Sequence, residues 1–167
     1  LYCQAYDSHH LLALSETREL KTYVDRTKMP YRVDPDLLEH LQEEPIKMIV
    51  IDLDDHDKLL RFQEATAQWS HGKLDRVFSS PDYLEHIATG ISKGGAVDFL
   101  CSYLNIPKSN TVAAGDAEND ITMLQAAAVG VAMANADDCV KEAADYVTQN
   151  DNNHDGVAEI IQKFLLC

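Results

Sequence analysis

Thr111-Val112-Ala113-Ala114-Gly115-Asp116-Ala117-Glu118-Asn119-Asp120 is the stretch that decides the fold. Four small or β-branched residues make a short buried strand, a glycine closes it, and a carboxylate leads into a helix. In open parallel sheets ligands bind outside the carboxyl ends of the strands. A strand ending in Gly-Asp therefore aims Asp116 at such a crevice, and Gly115 is expected to permit a tight turn there. Asn119 and Asp120 stand three and four positions further on, so the first helical turn would project them from the same side as Asp116. Oxygen groups of this kind suit a hard cation such as magnesium, which takes one or two carboxylates and completes its shell with water and phosphate. The spacing leaves a second reading open, in which Asp116 caps a helix and Asn119 and Asp120 are solvated residues favoured by the helix dipole.

The same rhythm continues outward. Strands are expected at 111–114, 129–132 and 146–148, alternating with helices at 93–104, 118–127, 137–144 and 156–166, the pattern of a parallel α/β sheet. The last helix carries Val157, Ile160, Ile161, Phe164 and Leu165 on one stripe, with Asn153 or Asp155 available as its cap. Upstream the pattern changes to an α+β unit. It has strands at 1–6 and 46–53, helices at 16–27, 35–42 and 57–70, and an antiparallel pair at 74–79 and 83–88 joined through Ser80-Pro81-Asp82. Leu59, Phe62, Ala65 and Trp69 form the apolar stripe of the 57–70 helix. The boundary is expected at Ala88-Thr89-Gly90, giving domains of 1–88 and 89–167.

Lys93 follows that boundary in Gly90-Ile91-Ser92-Lys93-Gly94-Gly95. A cation in the first turn of a helix faces the positive end of the dipole, at a cost of about 0.3–1 kcal/mol. An anion facing Lys93 would remove that cost, and the flanking glycines are expected to leave room for a phosphate. A surface lysine with its ammonium in water is the alternative.

Two other acidic patterns compete. Asp151-x-Asn153-x-Asp155-Gly156 copies the first half of a calcium loop, but Gln162 stands where the bidentate glutamate belongs. Ile49-Val50-Ile51-Asp52-Leu53-Asp54 has the form of an aspartyl nucleophile with its acid/base partner. It is followed by Asp55 and His56 in place of the small residues that would admit a phosphoryl group. The histidines form no zinc motif.

Composition sets the outer limits. With 14 basic and 28 acidic side chains the net charge is −14, which repels a nucleic-acid backbone. No apolar run approaches the roughly 20 residues of a membrane span. The four cysteines, Cys3, Cys101, Cys139 and Cys167, lie far apart with no paired motif, as in a reduced, cytoplasmic protein.

Taken together, Ser80 to Glu85, Gly90 to Gly94, Gly115 to Asp120, Gly130 to Ala136, Ala144 to Thr148 and Asp155 to Ala158 resemble, in order, the Cof-type sugar phosphatases of the haloacid dehalogenase-like superfamily. The resemblance implies a Rossmann-like parallel-sheet core, here partial, with an α+β cap domain. It implies that 1–88 is an N-terminally incomplete cap and 89–167 the C-terminal half of the core. It further implies a magnesium-dependent hydrolysis of small phosphorylated metabolites through an aspartyl-phosphate. By matched position Lys93 would hold the phosphoryl oxygens and the nucleophile, Asp116 would bind Mg2+, Asn119 would contact the substrate phosphate, and Asp120 would support them. The family's nucleophile motif precedes the cap, so Asp52 and Asp54, on a cap strand, do not supply it. The expectation is a chain inactive alone, its nucleophile upstream of Leu1. The alternative is a non-catalytic module that binds a phosphorylated ligand or a partner chain.

Overall fold

The computed structural model describes residues 1–41 and 43–166 and divides the chain into two compact units, Leu1–Thr89 and Gly90–Cys167. In the first, β1 (Tyr2–Tyr6), β2 (Leu11–Ala13), β3 (Tyr31–Val33), β4 (Lys47–Ile51), β5 (Leu74–Ser80) and β6 (Tyr83–Ala88) form one sheet in the order β3-β2-β1-β4-β6-β5. All neighbours are antiparallel except β2 and β3. Side chains alternate across a strand, and β4 uses both faces. Ile49 and Ile51 join Leu20 and Tyr23 of α1 (Arg18–Thr27), while Val50 between them joins Leu59 of α3 (His56–Ala65) and Leu84. The Thr17 hydroxyl caps α1 by accepting the Leu20 N–H at 3.2 Å, and the Asp55 carboxylate caps α3 by accepting the Lys58 N–H at 3.0 Å.

Three expectations for this unit are corrected. The helix over 57–70 is two helices, α3 and a one-turn α4 (Ala67–Ser70). At the break the Thr66 hydroxyl donates back to the Phe62 carbonyl at 2.8 Å, and an Arg76 guanidinium N–H donates to the carbonyl of Gln63. The break takes Trp69 off the apolar stripe and leaves it 59% exposed. The helix over 35–42 is the single turn α2 (Leu37–His40), and Gln42 lies outside the described residues. β2 and β3 were not expected at all.

The second unit runs α5 (Lys93–Leu104), β7 (Val112–Gly115), α6 (Ile121–Ala126), β8 (Val129–Ala132), α7 (Asp138–Glu142), β9 (Tyr146–Val147) and α8 (Gly156–Phe164). Short 3-10 turns occupy Lys108–Asn110 and Glu118–Asp120. The strands form a parallel sheet in the order β7-β8-β9. Ala113 and Ala132 pack with Leu124 and Val140 from α6 and α7, whereas Val131 and Met133 pack with Ile160 of α8 on the other face. Both faces are covered, as parallel sheets require. The α/β reading stands, with its parallel sheet in the second unit. Asp155, left-handed at φ 62°, precedes α8 without a side-chain cap bond, so the cap expected of Asp155 is not made. Among the described residues no helix is long and apolar enough to cross a membrane.

Candidate functional site at the strand ends of the parallel sheet

Lys93 is the first residue of α5, whose N-terminus is capped by Ser92 accepting the Gly95 N–H at 3.0 Å. The adjacent Gly94 is pressed onto the next helix. Its N–H donates to the Thr122 hydroxyl at 3.1 Å, and a Cβ built there would lie 2.4 Å from the Thr122 carbonyl oxygen. Gly94 therefore serves helix packing, which corrects the expectation that it leaves space for a phosphate. This packing sets the Lys93 ammonium on the Asp120 carboxylate and 3.3 Å from Asn119 Oδ1. The dipole cost of a first-turn cation is thus offset by a fixed anion. With its amide oxygen turned to Lys93, Asn119 has its NH2 donors available to an anion.

Asp120 is almost fully buried and uses both oxygens inside the protein. Oδ1 accepts from Lys93, and Oδ2 accepts the backbone N–H groups of Asp116 at 3.0 Å and Ala117 at 3.2 Å. The carboxylate lies directly over Gly115, where an added Cβ would meet Asp120 Cβ at 2.3 Å. Gly115 does not adopt a positive φ, so its role is close approach of Asp120 and not the tight turn expected from sequence.

Asp116 follows β7 directly. Asn135 Nδ2 donates to its Oδ2 at 2.9 Å and Asn152 Nδ2 donates to the same oxygen at 3.4 Å. Asn135 in turn accepts the Asn152 backbone N–H on Oδ1 at 3.0 Å. The expected convergence of Asp116, Asn119 and Asp120 on one target is therefore not what their contacts record. Asp116 turns to the two asparagines, Asn119 to Lys93, and Asp120 to Lys93 and the strand end. Asn135 and Asn152 were not foreseen as part of this constellation. The available signal was position, since each lies a few residues past the end of a parallel strand.

For a metal, the chemistry of the donors is decisive. Among the described residues no group of three or more His, Cys, Asp or Glu side chains could hold an ion. Asp116 Oδ1 carries no protein hydrogen bond among them and offers one hard oxygen. That fits the protein share of a magnesium shell completed by water and phosphate, and does not fit zinc.

The competing acidic patterns are built into local turns. Asp52 accepts the Lys58 ammonium at 2.7 Å and the N–H groups of Asp54 and Asp55 at 3.1 and 3.0 Å. The ammonium of Lys58, then these N–H groups, holds its carboxyl below the usual range. Asp54 is paired with Arg18. Asp151 accepts from the Asn153 N–H at 2.8 Å and bonds His154 Nδ1 at 2.6 Å, and the first of these does most to depress its carboxyl.

The sequence profile of the haloacid dehalogenase-like hydrolases matches residues 2–161. The 5-amino-6-(5-phospho-D-ribitylamino)uracil phosphatase of Bacillus subtilis is 44% identical over 94 residues, which are 56% of this chain and 37% of that protein. The phosphoglycolate phosphatase of Methanobrevibacter smithii is 33% identical over 162 residues, 89% of this chain and 66% of the relative. The crystal structure of a haloacid dehalogenase-like hydrolase from Bacteroides thetaiotaomicron superposes with a TM-score of 0.80 at 30% identity, covering 96% of this chain and 60% of that one. The chain spans less than two thirds of each of these relatives.

Proposed function

This chain belongs to the haloacid dehalogenase-like hydrolases, in their Cof-type phosphatase branch, and on that premise we propose that it is the C-terminal portion of a magnesium-dependent phosphatase. In this reading residues 89–167 are the second half of the catalytic core and 1–88 a substrate-selecting cap. The substrates are small phosphorylated metabolites such as sugar phosphates, and the aspartate nucleophile belongs to a segment outside residues 1–167. The observation that carries the proposal is the Lys93 ammonium held against Asp120 and Asn119 beside the strand end that presents Asp116.

Each residue has a chemical task. The Lys93 ammonium neutralises phosphoryl oxygens as charge builds on them, and Asp120 keeps it in place so that little reorganisation is needed when the charge develops. The Asn119 amide donates to the substrate phosphate. Asp116 would hold Mg2+, which supplies further positive charge on the phosphate when bound. The free thiols of Cys3, Cys101 and Cys139 support a reducing, cytoplasmic setting.

The test is hydrolysis of p-nitrophenyl phosphate, with and without MgCl2, by the 167-residue chain and by a chain extended upstream. Only the extended chain with magnesium is expected to turn over, and Lys93→Ala within it should lower kcat/KM by about 10²–10³. Full turnover by the 167-residue chain would overturn the missing-nucleophile reading. Phosphate binding without turnover by the extended chain would favour a non-catalytic module.

A further inference from the structure

Three loops, each following a different strand of the parallel sheet, meet at a single carboxylate oxygen. Asp116 follows β7, Asn135 follows β8, Asn152 follows β9, and both asparagine amides donate to Asp116 Oδ2. The loops are held in register by an extended ladder. The Met133 N–H donates to the Gly115 carbonyl at 3.0 Å, the Thr148 N–H to the Ala132 carbonyl at 3.0 Å, and the Ala134 N–H to the buried Thr148 hydroxyl at 2.9 Å. Asn135 sits at the centre, donating to Asp116 and accepting from the backbone of Asn152.

We propose that Asn135, braced by Asn152, is the positioning residue that fixes the Asp116 carboxylate for a divalent cation. The inference rests on the assignment of Asp116 as metal-holding under the proposed function. Two features of the chemistry carry it. First, the partner is a neutral amide. A lysine or arginine on Oδ2 would fix the rotamer equally well but would cancel the charge that attracts the cation, whereas an amide orients the carboxylate and leaves its full charge. Second, both donors converge on Oδ2, so Oδ1 is the oxygen left to bind. The Asn135–Asp116 bond is exposed to solvent. Water could serve each group there, so the bond adds little to folding stability and its effect falls on orientation. Removing the outer partner of a metal-holding side chain typically weakens metal affinity about 10–100-fold.

The experiment is calorimetric titration of MgCl2 into the upstream-extended chain, without substrate. Asn135→Ala should raise the magnesium dissociation constant about 10–100-fold, and Asn152→Ala by less, given its longer 3.4 Å contact. With p-nitrophenyl phosphate, excess magnesium should restore kcat in Asn135→Ala with KM unchanged, which a misfolded strand-end loop would not allow. The control is Asp116→Asn. If it abolishes magnesium binding while Asn135→Ala leaves the affinity unchanged, the positioning role is overturned and the functional reading survives. If Asp116→Asn itself leaves magnesium affinity unchanged, the functional reading fails. A kcat in Asn135→Ala that excess magnesium does not restore also overturns the positioning role.

Discussion

Asp120 shows how one residue can join a strand end to a helix start. Its two oxygens collect an ammonium from α5 and two backbone N–H groups from the end of β7, with no Cβ beneath it at Gly115. Asp120→Ala would strand both N–H groups and Lys93 at once. Hydrogen bonds to a charged group are each worth about 1.5–3 kcal/mol, so urea unfolding should register at least one such loss. Asp120→Asn keeps an acceptor for the backbone and should lose less. An unchanged midpoint in Asp120→Ala would remove Asp120 from this role. His86 is a second residue whose surroundings fix its behaviour. It is 5% exposed, lies against Phe62 and opposite Arg76, and its Nδ1 has no partner among the described residues. Burial, chiefly, pushes its pKa down. The unfolded chain therefore binds a proton near pH 6.5 that the folded chain refuses until a lower pH. Stability from this residue is complete above about 6.5 and declines as the pH falls below it towards the folded pKa. Urea midpoints at about pH 7.5 and pH 5.5 should differ less in His86→Phe than in the parent, since aspartates titrate lower, near 3.9. Equal differences would mean that His86 is not acid-sensitive in the fold.

At the scale of elements, the geometry around Lys93 depends on how closely α5 meets α6. Gly94→Ala would bring a methyl to within 2.4 Å of the Thr122 carbonyl. Backbone cannot yield as a flexible side chain can, so the helices must separate, at about 1–3 kcal/mol, and Lys93 must withdraw from Asp120. Thermal unfolding and the kcat/KM of the extended chain should fall together. A stable but inactive Gly94→Ala would show that the helix contact sets position and not stability. Much at this scale was legible in the sequence. The boundaries expected for α5 and β8 are those they have in the structure, because the strand–helix rhythm and the Val-Gly-Val-Ala run are local signals, whereas the Ser92 cap is seen only in the structure. β2 and β3 are three residues each, too short to show alternation, and exist through pairing with distant chain. The break at Thr66 depends partly on Arg76, ten positions away. At the site, the Lys93 and Asp116 segments could be singled out by pattern, whereas their partners could not. Asn135 and Asn152 reach Asp116 across 19 and 36 positions. The fit of Gly94 and Gly115 is likewise a matter of what packs against them, which no composition records.

For the molecule as a whole, four apolar clusters among the described residues, two in each unit, oppose a net charge of −14. Like charges spread over a compact unit repel, and that self-repulsion lowers the unit's stability unless salt screens it. Exposed ion pairs such as Lys21–Glu16 and Arg61–Asp55 act in the other direction and are also screened, but each such pair contributes about 0–1 kcal/mol at most. With twice as many acidic as basic side chains, repulsive pairs outnumber attractive ones. The longer range of the repulsion matters as well. Its screening is nearly complete once the Debye length shrinks from about 30 Å at 0.01 M to about 8 Å at 0.15 M salt, whereas contacts at about 3 to 4 Å are screened less. The melting temperature of the 167-residue chain should therefore rise between those two NaCl concentrations and then level off. The same field disfavours the approach of a phosphate dianion, so the local cation at Lys93 must overcome the average charge. Replacing exposed acids of the first unit, such as Glu43 and Glu44, with glutamine should raise the melting temperature at low salt and leave it unchanged at high salt. A melting temperature that falls as NaCl is added would show that the ion pairs outweigh the net charge.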